Sequence, residues 1–139
     1  MLTLPWTPGP ATLRAPATPV VMAAELRVRS LRYVPGFLRH SLRIRRQTRT
    51  ADGALGVTLR AAPLRGTFWV LSAWTDREAL GRFVKTDPHR TAMLALRPHM
   101  AGSHFATWDA TSPGRPDWEE AMSQLQASRG PGNGGGTGR

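Results

Sequence analysis

The sequence predicts an α+β fold in which one antiparallel sheet carries helices on one face. Three observations lead to this prediction: apolar runs with strand alternation, amphipathic segments with helical spacing between them, and glycine or proline at the boundaries. The chain has 139 residues, of which 40% are hydrophobic. This length and composition suit one domain with a substantial core.

The first strand and the first helix occupy residues 19–49. Residues 19–29 begin as an apolar run and then alternate leucine or valine with arginine, which is typical of a strand. Pro35 suits the first turn of a helix over residues 35–49. The apolar side of this helix is formed by Phe37, Leu38, Ser41, Leu42 and Ile44, and the remaining side by Arg39, Arg43, Arg46 and Arg49.

The next segment predicts two strands joined by a short loop. Residues 55–60 alternate apolar residues with small or polar ones, and residues 63–66 (PLRG) form the loop. Residues 67–74 (TFWVLSAW) form the most β-like run of the chain and are apolar on both faces. A strand of this kind has to be covered on both sides.

The last part of the chain predicts a broken helix, a strand and a short helix. Asp76 is a helix cap, and Pro88 interrupts the apolar periodicity that follows, so we expect a helix, a kink and a second helical piece. Residues 103–110 form the fourth strand, and residues 116–126 form the last helix.

The resulting order, β-α-β-β-α-β plus a C-terminal helix, is the ferredoxin-like split βαβ arrangement. Both main helices cover one face of the sheet, so we expect the other apolar face to be uncovered and to pair with a second copy in a homodimer. The domain spans residues 18–127. Prolines crowd residues 1–17 and glycines crowd residues 128–139, and we expect both segments to be disordered.

Charge and composition limit the partners. The net charge is +10, with eighteen arginines but one lysine. This ratio favours a codon bias toward arginine over a nucleic-acid site, so we do not expect nucleic acid as a partner. The absence of cysteine excludes disulfides and thiolate metal sites. No apolar run approaches the ~18 residues of a membrane span, and we expect a cytoplasmic protein.

The segment Gly66–Met93 (GTFWVLSAWTDREALGRFVKTDPHRTAM) carries a resemblance to a known family. Its strand ending in tryptophan, its acidic-capped helix and its second helical piece resemble the antibiotic-biosynthesis monooxygenase-like branch of the dimeric α+β-barrel superfamily. The Pro-His-Arg step is more distantly similar to spheroidene monooxygenases. The resemblance covers residues 18–110 and implies a small-molecule enzyme of secondary metabolism that oxygenates, isomerises or cyclises an aromatic or polyketide-like substrate.

The resemblance also bears on heme. In the heme-degrading members a tryptophan is followed ten residues later by the histidine that binds iron. Aligned on Trp74, those two positions fall on Phe83 and Met93, so the ligand position is not histidine. His89 lies one helical turn before Met93 and is a displaced ligand in a heme-binding alternative. Otherwise we expect no cofactor.

The candidate catalytic residues are His89, which faces the cavity between helices and sheet as a general base, Tyr33 at the cavity mouth and His104 on the last strand. The candidate substrate contacts are Arg43, Trp69, Trp74, Phe83, Met93 and Arg90. Trp69 and Trp74 are five residues apart on one strand and point to opposite faces. No histidine spacing predicts a metal site. A third hypothesis is a non-catalytic binder that holds an anionic partner on the arginines of the first helix.

Overall fold

The computed structural model describes residues 1–111 and 114–129. The strands are β1 (Leu2–Thr3), β2 (Thr7–Pro8), β3 (Val20–Val28), β4 (Ala54–Ala62), β5 (Thr67–Trp74) and β6 (Met100–Asp109). The helices are α1 (Val34–Thr48), α2 (Arg77–Val84), α3 (His89–Leu96) and α4 (Trp118–Ser128). No helix in these ranges is long and apolar enough to cross a membrane. Residues 128–139 were predicted to be disordered, but Ser128 is the last residue of α4 and Arg129 forms an ion pair; residues 130–139 lie outside the described residues.

Start signals in the sequence explain where the helices begin. Pro35 occupies the first turn of α1. An Oδ1 atom of Asp76 accepts a hydrogen bond from the backbone N–H of Ala79 at 2.8 Å and caps α2. Asp117 caps α4 in the same way through the N–H of Glu120 at 2.7 Å. The helix predicted to break at Pro88 is two helices, α2 and α3, as expected.

The sheet has the predicted topology. Strands β4, β5, β3 and β6 lie side by side in this order, and every pairing is antiparallel. With α1 between β3 and β4, and with α2 and α3 between β5 and β6, the chain follows the β-α-β-β-α-β order. The predicted ferredoxin-like α+β fold is confirmed.

Residues 1–17 differ from the expectation of disorder. Strands β1 and β2 both pair with the outer edge of β4. The N–H groups of Gly9 and Ala11 donate to the carbonyl oxygens of Leu55 and Ala54 at 3.1 and 2.9 Å. The edge of β4 offers unpaired backbone groups, and this segment satisfies them in two short pieces separated by proline.

The two faces of β5 separate two parts of the core. Phe68, Val70, Ser72 and Trp74 face α1, α2 and α3. Trp69, Leu71 and Ala73 face the opposite side. Trp69 and Trp74 therefore lie on opposite faces, as the alternation predicts.

The opposite face of the sheet is covered, so the prediction of an uncovered apolar face is wrong. Ala121 and Leu125 of α4 pack on Val21 and Leu71, which are fully buried. Trp6 and other residues of the N-terminal segment cover the neighbouring part of this face. The reason is that α4 has an apolar stripe of its own, at helical spacing, and uses it within the same chain. The homodimer was predicted from an uncovered face and stays a prediction without that support.

Polar contacts fix α4 on the sheet at both of its ends. At its C-terminal end Glu25 accepts a hydrogen bond from Nε1 of Trp69 at 3.1 Å and forms an ion pair with Arg129. Near its N-terminal end the guanidinium of Arg60 lies 4.6 Å from the ring centroid of Trp118, a cation–π contact. The helix is thus an integral part of the domain.

Candidate active site

An apolar cavity lies between the helices α1, α2 and α3 and the sheet. Its inner part, which we call the inner chamber, has a volume of about 70 Å³. Most of its wall is aliphatic or aromatic, with contributions from all three helices and from all four main strands. Its lining residues include Ser41, Arg45, Ser72, Trp74, Phe83, His89 and Met93.

A second space, the outer chamber, extends the cavity past α3 and β6. It has a volume of about 390 Å³. It shares Phe37, Met93 and Phe105 with the inner chamber and adds the more polar Arg97 and Ser103. The shared wall residues show that the two chambers are adjacent, and the outer chamber alone has the volume of a small-molecule site.

The imidazole of His89 is held in a defined orientation. Its backbone N–H donates to Oε1 of Gln47 at 2.9 Å, and its Nδ1 lies 3.2 Å from the carbonyl oxygen of Val84. A carbonyl oxygen can only accept a hydrogen bond, so Nδ1 carries the proton. The other ring nitrogen, Nε2, then bears a lone pair, and no described residue forms a hydrogen bond with it.

The environment of His89 favours the neutral imidazole. Burial lowers the pKa of His89 below its ordinary value of 6.5, and the hydrogen bond to Val84 offsets part of this shift. The side chain is therefore neutral at pH 7. A neutral imidazole with a free Nε2 in an apolar cavity is suited to accept a proton.

Arg45 is the second polar residue of the inner chamber, and the sequence analysis did not identify it. Its Nε atom is buried and has no hydrogen-bond partner. Its guanidinium forms no ion pair with any residue in the described part of the chain. No aspartate or glutamate lines the inner chamber. The chamber wall thus includes one positively charged side chain without a protein counter-charge.

Two other polar side chains of the inner chamber, Ser72 and Thr48, form hydrogen bonds within the protein. The Oγ of Ser72 accepts a hydrogen bond from Nε1 of Trp74 at 2.9 Å. The hydroxyl of Thr48 donates to the carbonyl of Ile44 at 3.1 Å. His89, Arg45 and Ser41 therefore remain the polar groups that a ligand can use.

Three of the sequence-predicted site residues line the inner chamber beside His89. They are Trp74, Phe83 and Met93. The ring of Phe83 lies between the other aromatic groups, 4.8 Å from the Trp74 ring and 5.4 Å from the His89 ring, measured between centroids. These side chains supply an aromatic wall next to the imidazole, and Met93 connects this wall to the outer chamber.

Two arginines and one tryptophan of the prediction lie elsewhere. Arg43 and Arg90 are exposed on the outer sides of α1 and α3. Arg45, two residues after Arg43, is the arginine of α1 that reaches the cavity, since two positions rotate a helix by more than half a turn. Trp69 lies under α4, on the other face of the sheet.

The two remaining catalytic candidates also lie outside both chambers. His104 is buried under α4, where its Nε2 lies 3.0 Å from the carbonyl oxygen of Leu125. Tyr33 stacks on His99 with a centroid distance of 4.1 Å, and its hydroxyl accepts a hydrogen bond from Arg32 at 3.1 Å. The side chain of His104 therefore helps to hold α4 on the sheet. Tyr33 belongs to a surface cluster before α1.

The described residues contain no group of three or more histidine, cysteine, aspartate or glutamate side chains that could hold a metal ion.

Comparisons with known proteins place this fold and cavity in a family. Residues 20–94, more than half of the chain, match the sequence profile of the family described as antibiotic biosynthesis monooxygenase. The chain belongs to the antibiotic biosynthesis monooxygenase family. The resemblance seen in Gly66–Met93 is confirmed. No match exists among the curated proteins.

Solved structures agree with the family assignment. A crystal structure of an antibiotic biosynthesis monooxygenase shares 18% identity and a TM-score of 0.60, over 66% of this chain and 97% of that chain. A candidate antibiotic biosynthesis monooxygenase from Caulobacter crescentus CB15 shares 25% identity and a TM-score of 0.60, over 68% and 91%. A candidate from Nitrosomonas europaea shares 14% identity and a TM-score of 0.59, over 67% and 90%. Membership of the antibiotic biosynthesis monooxygenase family supports a monooxygenase-like function.

Proposed function

We propose that the chain is an oxygenase that uses no bound cofactor and that acts on an aromatic or polyketide-like substrate of secondary metabolism. One observation carries the proposal. The Val84 carbonyl fixes the proton of His89 on Nδ1, which leaves Nε2 as a neutral base in an apolar cavity. The same arrangement would also serve an isomerase or a cyclase, and family membership favours oxygenation.

The chemistry begins with proton removal. Nε2 of His89 takes a proton from a substrate CH₂ group whose carbanion is delocalised onto a ring or carbonyl oxygen. The carbanion is oxidised by O₂ to a hydroperoxide, which takes the proton back and loses water to give a carbonyl. The balance is R₂CH₂ + O₂ → R₂C=O + H₂O, and no other oxidant or reductant is required.

The volumes of the two chambers suggest how such a substrate is seated. The inner chamber, about 70 Å³, is smaller than the 150 Å³ or so of a cavity that holds benzene. The outer chamber, about 390 Å³, has room for fused rings. We place the ring system in the outer chamber, with its reacting edge directed past Met93 toward His89.

The heme alternative has one feature in its favour and one against it. A histidine that donates through Nδ1 to a backbone carbonyl presents Nε2 as iron ligands usually do. A porphyrin, however, is far larger than the 70 Å³ chamber next to this Nε2. These residues do not fit heme. A Soret shift on addition of hemin, lost on substitution of His89, would be needed to restore this alternative.

An oxygen balance tests the proposed function. The probe is a hydroxylated anthrone, whose CH₂ group is activated by two rings and a carbonyl. Oxygen uptake is measured with an electrode and product formation by absorbance, in buffer with EDTA, and the rate without enzyme is subtracted. We expect one O₂ consumed per carbonyl formed.

Two outcomes would contradict oxygenation. Conversion of an anthrone or a related polyketide without oxygen uptake would indicate isomerisation or cyclisation. A rate equal to that of the uncatalysed reaction, for wild type and variants alike, would remove the assignment for this substrate class.

A further inference from the structure

We infer that Arg45 is a specificity-determining residue, and that the cavity selects a planar apolar molecule carrying an anionic oxygen, either a carboxylate or a phenolate. The inference rests on the proposed function and deepens it by naming the substrate class. The observation behind it is the buried Nε of Arg45, which has no hydrogen-bond partner in a chamber without a carboxylate.

The place of Arg45 along α1 determines that its side chain points toward the inner chamber. Phe37, Ser41, Ile44 and Thr48 also line the inner chamber, at positions that follow one stripe of α1. Arg45 lies four residues after Ser41 on this stripe. The exposed Arg43 and Arg46 lie on the other sides of the same helix. Arg45 is thus the arginine of this helix that points into the protein.

A buried guanidinium nitrogen without a hydrogen-bond partner disfavours the folded state. Removing a guanidinium from water costs free energy unless an anion and hydrogen bonds replace the water. Within the described residues neither replacement is present for Nε. An anionic ligand would supply both, and a planar guanidinium binds a carboxylate or phenolate through short, charge-assisted hydrogen bonds.

The same placement fits the reaction. When Nε2 of His89 removes a proton, negative charge moves onto the substrate's oxygen. Arg45 lines the same chamber, so its positive charge stabilises this negative charge as it develops. The rest of the chamber wall is largely apolar, which strengthens the interaction.

Binding of a matched pair of ligands tests the inference without any turnover. The probes are 2-naphthoate and 2-naphthamide, which have the same shape and differ in charge, measured by calorimetry at pH 7.5 with the full chain. We expect 2-naphthoate to bind at least about tenfold more tightly than 2-naphthamide. In Arg45→Met this preference disappears, and in Arg45→Lys part of it remains.

Controls separate Arg45 from general charge effects. Arg43→Met makes the same change on the exposed side of α1, and we expect the affinity for 2-naphthoate to stay unchanged. Without ligand, Arg45→Met melts at the same or a higher temperature than wild type, because a buried polar nitrogen without a partner has been removed. His89→Asn retains the preference for 2-naphthoate, since it keeps Arg45.

Several results would overturn the inference. They are equal affinity of wild type for both probes, no binding of either probe up to about 1 mM, or equal weakening by Arg43→Met and Arg45→Met. If 2-naphthoate is selected through Arg45 while the anthrone is not oxidised, the proposed function fails and the anion site stands. If the anthrone is oxidised but the probes bind equally, the anion site fails and the proposed function stands.

Discussion

Replacing His89 with asparagine lowers kcat/KM for anthrone oxidation by at least about 10²-fold, the usual contribution of a positioned general base. Asparagine is the most selective substitution, because its side-chain N–H can take the place of the Nδ1–H group and donate to the Val84 carbonyl oxygen. The structural hydrogen bond is then kept while the basic nitrogen is lost. Oxygen uptake and absorbance measure the effect.

The matched control is His40→Asn. His40 lies on α1, is half-buried, and lines neither chamber. We expect its rate to stay within about twofold of wild type, as for a substitution away from the reacting atoms. If His89→Asn oxidises the anthrone as fast as His40→Asn while both are folded, His89 is structural and the proposed mechanism is wrong.

Replacing Leu125 with alanine lowers the free energy of unfolding by about 2–5 kcal/mol. Leu125 is 2% exposed and packs in the cluster that joins α4 to the sheet. The loss combines buried apolar surface with the cavity left behind. Urea unfolding followed by circular dichroism and by tryptophan fluorescence measures it.

The control for this prediction is Leu94→Ala, which removes the same atoms from a side chain that is 56% exposed. We expect it to change the free energy of unfolding by less than about 1 kcal/mol, since the burial lost is small. If Leu125→Ala has an effect as small as that of the control, α4 does not stabilise the domain, and the second face of the sheet is available to a partner after all.

The order and type of the main elements could be predicted from the sequence because their patterns are local. The doubly apolar run 67–74, the Asp76 cap and the break at Pro88 each determine a boundary within the chain, and the structure has them all. Helical spacing also predicted α4. It did not show that the stripe of α4 packs on the sheet of its own chain, because this depends on contacts distant in sequence.

The N-terminal segment also forms contacts with residues distant in sequence that could not be predicted. Its prolines led to a prediction of disorder, but two short strands pair with β4 through backbone groups. Side-chain composition carries little information on such pairing. Here the partner is the edge of β4, which cannot be deduced from residues 1–17 alone.

The site was predicted in part. His89, Trp74, Phe83 and Met93 were assigned to the cavity, and they line it. Arg45 was missed because Leu38 and Leu42 were taken as part of the inner side, although they are 37% and 51% exposed and do not line the inner chamber. The stripe that begins at Phe37 and continues through polar residues would have pointed to Arg45. A polar residue on an inward stripe is the signal that sequence analysis can use.

The state of His89 sets the pH dependence of the reaction. The base acts when it is neutral, so the rate rises as pH increases through the pKa of His89 and is constant above it. Because burial lowers this pKa, the rise lies below pH 6.5, the ordinary histidine value. In His89→Asn we expect the residual rate to show no such fall as the pH decreases below 6.5.

Nuclear magnetic resonance of the chain with ¹⁵N-labelled histidine tests the central claim most directly, since it needs no substrate. The His89 signals are identified by their absence in His89→Asn. The account predicts a neutral ring at pH 7 with its proton on Nδ1, and a pKa below 6.5. A proton on Nε2, or an imidazolium at pH 7, would contradict the assignment of His89 as the base.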